Sequence, residues 1–424
     1  MTDLYSRFIL DNGLTVLLKE MHTAPVISHW VWYRVGSRCE TPGKTGISHW
    51  VEHLQFKGTE RYPARTADLE ISRSGGTWNA FTYMDWTAFY ETLPADRIDL
   101  ALELESDRMT NCLYDPEETE AELTVILSKL EGLENEPSHR LKNAMLGKAF
   151  RSHPYRVETI GKREDLLLLT RDDLYAYYRN HYLPNNAVLV MAGDFETEDM
   201  IRRVESAYGK IPAGTLPEYS VSPEGVIQNP ETIEVHAPCD VDVLQMVWRC
   251  PAGNAPDIYP LTILDSVLSG PSSLNMFGGG HISNRTSRLY QTLVKGGKAA
   301  ALGGGFSLTI DPYLYSLAAL VIPGMEPAEA AGLIRDEIGK IIRDGISPAE
   351  LEKARKQAGA MFIFSSENIT NQAYWLGCTS MFADPSWYTD YLPRLDRVTA
   401  EDVRNTAERW LRPENCLTGI CSSD

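Results

Sequence analysis

Two histidines and a glutamate, His49, Glu52 and His53, sit close together in the stretch Thr45-Gly46-Ile47-Ser48-His49-Trp50-Val51-Glu52-His53-Leu54. Ile47, Trp50, Val51 and Leu54 recur at i, i+3, i+4 and i+7, the apolar stripe of a buried amphipathic helix. On that helix His49 and His53 lie one turn apart, away from the stripe, where both imidazoles can reach one metal ion. Glu52 follows His49 by three residues, so its carboxylate points into the same space. A carboxylate beside a metal-bound water is placed to take that water's proton. The pattern His-x-x-Glu-His reverses the commoner His-Glu-x-x-His zinc signature. So short a motif is decided by its surroundings.

The elements around it read as follows. Arg7 to Met21 is a β-hairpin with Asp11-Asn12-Gly13 as its turn, and Val26–Val35 is a strand rich in aromatic and β-branched residues. Gly58 is placed to end the motif helix in the left-handed conformation. A short helix near 65–72 precedes a strand pair, 75–82 and 86–93, and residues 95–110 are helical. Asp115-Pro116-Glu117-Glu118 opens a further helix, with Asp115 as N-cap and acids in the first turn. One face of that helix carries Leu123, Ile126, Leu127, Leu130 and Leu133; the other carries Glu118, Glu122 and Lys129. Residues 171–182 form a helix and 187–193 a buried strand.

Pro212-Ala213-Gly214 through Pro223-Glu224-Gly225 has the composition of a linker. Beyond it the order loosely repeats: strand 244–249, helix 259–269, a helix near 287–293, strands near 300–309 and 314–321, then helices at 327–344, from Pro348, and at 400–410. The expectation is an α+β chain of two homologous domains, each a mostly antiparallel sheet backed by helices. The first spans 1–212 and holds the motif, 213–228 links, and 229–424 is a degenerate duplicate. Phe277-Gly278-Gly279-Gly280-His281 is not a phosphate loop, because no Lys-Ser/Thr follows it.

The 424 residues carry 43% hydrophobic and 23% charged side chains, an ordinary globular composition. The formal net charge of −18 disfavours nucleic acid and anionic membrane surfaces as partners and suits a basic or neutral peptide. No basic-then-apolar leader opens the chain and no apolar run is long enough to span a bilayer. The seven cysteines are odd in number and make no Cys-x-x-Cys pair, so reduced thiols in the cytoplasm are expected. An exported chain stripped of its leader would read the same.

Taken together, Gly36-Ser37-Arg38, His49-x-x-Glu52-His53, Phe56-Lys57-Gly58-Thr59, Gly75-Gly76-x-x-Asn79-Ala80, His153-Pro154-Tyr155 and Tyr182-x-Pro184-x-Asn186 resemble the pitrilysin (insulinase) family of inverzincin zinc peptidases. The resemblance is strongest to its short-chain branch, bacterial processing-type peptidases and mitochondrial processing peptidase, in which two chains form one chamber. It implies one Zn²⁺ held by His49 and His53, Glu52 as general base, and Asn79 and Ala80 on an edge strand that pairs with the backbone of a peptide substrate. Adding a strand to a sheet edge is a general way to bind an extended peptide.

Two departures follow from the same resemblance. The family's third zinc ligand is a Glu two helical turns after another Glu. Glu122 matches the first of these, a residue standing behind the ligands, but Lys129 stands at the ligand position. An ammonium has no lone pair to donate, so zinc is expected to bind weakly or not at all, with Lys129 paired to Glu52 or Glu122. Glu131 lies about 200° around the helix from Lys129 and is a poor substitute. The Arg and Tyr that bind the substrate carbonyl in single-chain members fall at Val294 and Ala301, by the match of Ser287-Arg288-Leu289-Tyr290-Gln291. That absence implies a heterodimer whose other subunit supplies the pair. The expectation is a zinc endopeptidase subunit acting on peptides in a two-subunit chamber; the alternative is a catalytically impaired, peptide-binding or structural subunit of the same family.

Overall fold

The structure is a computed structural model that describes residues 5–228, 230–278 and 282–422. Gly279, Gly280 and His281 of the glycine-rich loop lie outside the described residues, as does Asn229, the first residue of the expected second domain.

The chain forms two compact units. One comprises Met1–Glu131, Val157–Val221 and Glu367–Pro385; the other comprises Gly132–Arg156, Ser222–Ser366 and Ser386–Asp424. A single cut at 213–228 would put 132–156 in the first unit and 367–385 in the second. The structure packs both segments the other way.

The first unit holds β1 (Ser6–Ile9), β2 (Thr15–Glu20), β3 (Val26–Tyr33), β4 (Thr77–Thr82), β5 (Thr87–Pro94) and β6 (Ala187–Gly193) in the order β1-β2-β6-β3-β5-β4. All pairs are antiparallel except β2 with β6. β3 and β6 are buried almost throughout: β6 is apolar along its whole length, and the two polar residues of β3, Ser28 and His29, are hydrogen-bonded to Trp30 Nε1 and Glu91. Helix Ile369–Phe382, from near the end of the chain, packs on β3 and β6. Its Tyr374 lies against Trp30 and Trp32. At Gly377 the helix backbone lies directly on the Trp32 side chain: a Cβ there would collide with the indole.

The second unit holds β7 (Thr232–His236), β8 (Asp242–Arg249), β9 (Ala299–Phe306), β10 (Leu314–Val321) and β11 (Leu417–Ser422) in the order β7-β11-β8-β10-β9. Again one pair, β7 with β11, is parallel and the rest are antiparallel. β7, β11, β8, β10 and β9 thus repeat the arrangement of β2, β6, β3, β5 and β4. Helix Pro137–Ala149 covers β7 and β11, and Gly419 in β11 admits the Met145 side chain. Each sheet is covered by a helix from the opposite half of the sequence.

The seven cysteines are free thiols, all buried except the half-buried Cys239. No helix among the described residues is long and apolar enough to cross a membrane.

Candidate metal and peptide site

The motif forms helix Ile47–Leu54, with Ile47, Trp50, Val51 and Leu54 buried as the stripe requires. The helix has no side-chain cap of the usual Ser/Thr/Asp kind. Instead the buried Glu40 accepts from the backbone N–H of Gly46 and of Ser48, each at 2.9 Å. A carboxylate at a helix N-terminus meets both the free N–H groups and the positive end of the dipole. Burial nevertheless pushes the Glu40 carboxyl up to about 7. Glu40 lies several residues before the helix, outside any local capping pattern, so no sequence signal marks it for this role. At the other end the helix stops at Leu54, and Gly58 takes φ +99° where a Cβ would strike the backbone of 62–64.

His49 and Glu52 are buried and His53 half-buried. The Nε2 atoms of His49 and His53 face each other at 3.0 Å. His53 Nδ1 donates to Glu122 Oε1 at 2.7 Å, and Lys57 Nζ donates to Glu122 Oε2 at 2.6 Å. The hydrogen bond from His53, reinforced by Lys57, holds Glu122 down at about 2. With Nδ1 turned to a carboxylate, His53 offers Nε2 to the space beside His49, the outer-shell arrangement that orients metal-ligating histidines. Lys57 also lies 3.4 Å from Glu118. Sequence spacing alone assigns Lys57 no role; its role appears only once helix Pro116–Glu134 is laid beside it.

Glu52 Oε2 accepts from Thr82 Oγ1 at 3.2 Å. Burial raises the Glu52 carboxyl above its ordinary value, against the nearby His53, the Thr82 bond and the Lys129 charge. Ligand atoms of His49, Glu52 and His53 all lie within 4.8 Å of one another.

Lys129 reaches the same point. Its Nζ lies 3.3 Å from His49 Nε2, so a lysine stands on the third side of the site. The expectation that it pairs with Glu52 or Glu122 is corrected: Glu122 is taken by His53 and Lys57, and the ammonium donates to the His49 imidazole. Burial, then the charges of His53 and Lys129, push His49 down to about 3.

Tetrahedral zinc with Zn–N bonds of about 2.0–2.1 Å sets two imidazole nitrogens about 3.3 Å apart. The 3.0 Å His49–His53 approach and the His53–Glu122 bond suit such an ion. Lys129 does not, because it brings a hydrogen-bond donor to the nitrogen whose lone pair the metal would need. Two of the three expected ligand positions therefore fit zinc and the third does not.

β4 is the edge of its sheet and borders the same cavity, of about 550 Å³, through Asn79, Ala80, Phe81 and Thr82. The exposed Ala80 N–H donates to Asn79 Oδ1 at 2.8 Å. Asn79 thus covers an edge donor that an added strand would use. Val294 closes a short helical segment, Tyr290–Val294, and Ala301 lies on β9, the edge of the second sheet.

Residues 15–163 match the model of insulinase (peptidase family M16), and residues 168–358 match that of the peptidase M16 inactive domain. An uncharacterized zinc protease of Bacillus subtilis is 26% identical over 98% of both chains. A mitochondrial-processing peptidase subunit beta of Lentinula edodes is 22% identical over 95% of this chain and 86% of that one. Among solved structures, a protease from Helicobacter pylori superposes with a TM-score of 0.90 at 24% identity over 99% of both chains. A peptidase M16 inactive domain from Pseudomonas fluorescens does so at 0.86 and 15% identity, over 99% of this chain and 98% of that one. At these identities the two structures speak for the fold, an α+β fold with two sheets. With both family models matched in order along it, the chain belongs to the insulinase (M16) family of peptidases.

Proposed function

We propose that this chain is an M16-type zinc endopeptidase subunit acting on extended peptides, with its hydrolytic step held back by Lys129. The observation that carries this reading is the convergence of His49 Nε2 and His53 Nε2 beside Glu52, at the open edge of β4. His49 and His53 would hold the metal. Zinc held there would supply a Lewis acid and would lower the pKa of a bound water.

The rest is the work of the chain's own residues. β4 pairs with the peptide main chain once Asn79 releases the Ala80 N–H. Thr82 fixes one oxygen of Glu52. Burial makes that carboxylate a better proton acceptor than an exposed one, and the proton it takes from water passes to the leaving amine. Glu122, itself held by Lys57, keeps His53 facing inward. Val294 and Ala301 carry no side-chain donor for a substrate carbonyl. We assign that contact to a different family member in a two-subunit chamber, an assembly in keeping with the relative named as a subunit of mitochondrial-processing peptidase.

Lys129 favours a second reading, a peptide-binding subunit with little hydrolysis of its own. Elemental analysis and a peptide-cleavage assay on the protein and on Lys129→Glu separate the two. Gain of a full zinc equivalent and of cleavage in the variant supports a peptidase architecture blocked at one vertex. One tightly held zinc and full cleavage in the unaltered protein would show that Lys129 moves aside.

A further inference from the structure

Lys129 brings a charge into the site that no carboxylate among the described residues holds. Its hydrogen-bond partner is the His49 imidazole. An ammonium has three donors, so two remain. The other cation lining the cavity, Lys57, is held by Glu118 and Glu122. Glu52 is near enough to feel the Lys129 charge but gives its oxygen to Thr82. The cavity of about 550 Å³ is large enough for the end of a peptide, and Phe56, Ala80 and Phe81 give it apolar walls. β4 supplies the strand edge along which an extended chain would lie.

We propose that Lys129 makes this cavity a receptor for a peptide carboxylate: a chain lying along β4 is anchored by a carboxylate that bonds the Lys129 ammonium where a metal ligand would otherwise stand. The proposal rests on the peptide-binding reading above and names its ligand. A glutamate at this position would repel a carboxylate; a lysine attracts one, and a charge-assisted hydrogen bond is roughly twice as strong as a neutral one. The carboxylate comes either from the C-terminus of the peptide or from an Asp or Glu side chain.

The test uses the full-length protein freed of metal by a chelator. Binding is read by fluorescence anisotropy with a labelled Ala/Leu/Ser peptide of about eight residues, enough to run the length of a strand. The peptide is offered as the free acid, as the C-terminal amide, and as the amide with one internal Glu. The free acid is expected to bind about tenfold tighter than the plain amide, the worth of about 1.4 kcal/mol. Lys129→Gln, a change on an exposed helix position, should abolish the difference. If the Glu-bearing amide gains instead, the carboxylate is a side chain. Equal binding of all three forms overturns the proposal and leaves the peptide-binding reading standing. A preference that survives in Lys129→Gln overturns it too, because another group then reads the carboxylate. Absence of binding by every form overturns both.

Discussion

Glu122 Oε1 accepts the His53 Nδ1–H at 2.7 Å while its other oxygen accepts from Lys57. The bond fixes which ring nitrogen of His53 faces His49, and so decides whether the two imidazoles can share an ion. In the Lys129→Glu background, Glu122→Ala should therefore lower zinc affinity by about 10–100-fold, the usual worth of a partner behind a metal-ligating histidine. Competition against a chromogenic chelator measures it. An unchanged affinity would mean that His53 holds its orientation without Glu122.

Glu40 gives the motif helix a pH-dependent anchor. Its carboxyl is raised from an ordinary 4.5 to about 7 by burial. The folded state therefore binds the proton more strongly than the unfolded state, so this contribution is full below about 4.5 and is lost as pH rises through about 7. Glu40→Gln lacks that titration. In denaturant unfolding, the stability advantage of the unaltered protein over Glu40→Gln should be largest near the acid end of this window and shrink toward its top. A constant difference across the window would show that Glu40 does not titrate there.

Val294 and Ala301 set an expectation about assembly. A missing donor to a developing oxyanion commonly costs about 10²–10³ in rate. Lys129→Glu alone should then cleave peptides slowly, and adding a family member with an Arg and a Tyr at these two positions should raise the rate by that order. Co-purification and a cleavage assay on the mixture test it; equal rates with and without the partner count against the two-subunit chamber.

Helix Ile369–Phe382 makes the motif unit depend on the end of the chain. A fragment of residues 1–228 lacks it and leaves Trp30 and Trp32 uncovered. It should fail to give a cooperative unfolding transition by circular dichroism unless residues 367–385 are supplied. Gly377→Ala in the full chain forces a methyl group against the Trp32 indole. Overpacking of this kind costs about 1–3 kcal/mol, and the loss should appear in the transition that reports the tryptophans of the first unit.

What the chain settles locally is legible in the order of its residues. The period of Ile47, Trp50, Val51 and Leu54 defines a helix and puts both histidines on its other face, because helical geometry depends only on nearby residues. The strands flanking the motif and the helices at 327–344 and 400–410 carry their patterns in the same way. The family-specific spacing likewise places Lys129 beside the two histidines, and the structure brings it there. Other features are hidden for a physical reason. Helix 369–382 is buried over Ala373–Thr379 and so shows no polar face to betray its period. β11, Leu-Thr-Gly-Ile-Cys-Ser, is made a strand by its neighbours β7 and β8. Which unit each helix covers, which carboxylate caps the motif helix, and that Lys129 chooses His49 over Glu122 all depend on groups far apart in sequence. Such pairings are decided by competition among packed neighbours: Glu122 is already engaged by His53 and Lys57, and only the tertiary structure brings those competitors together.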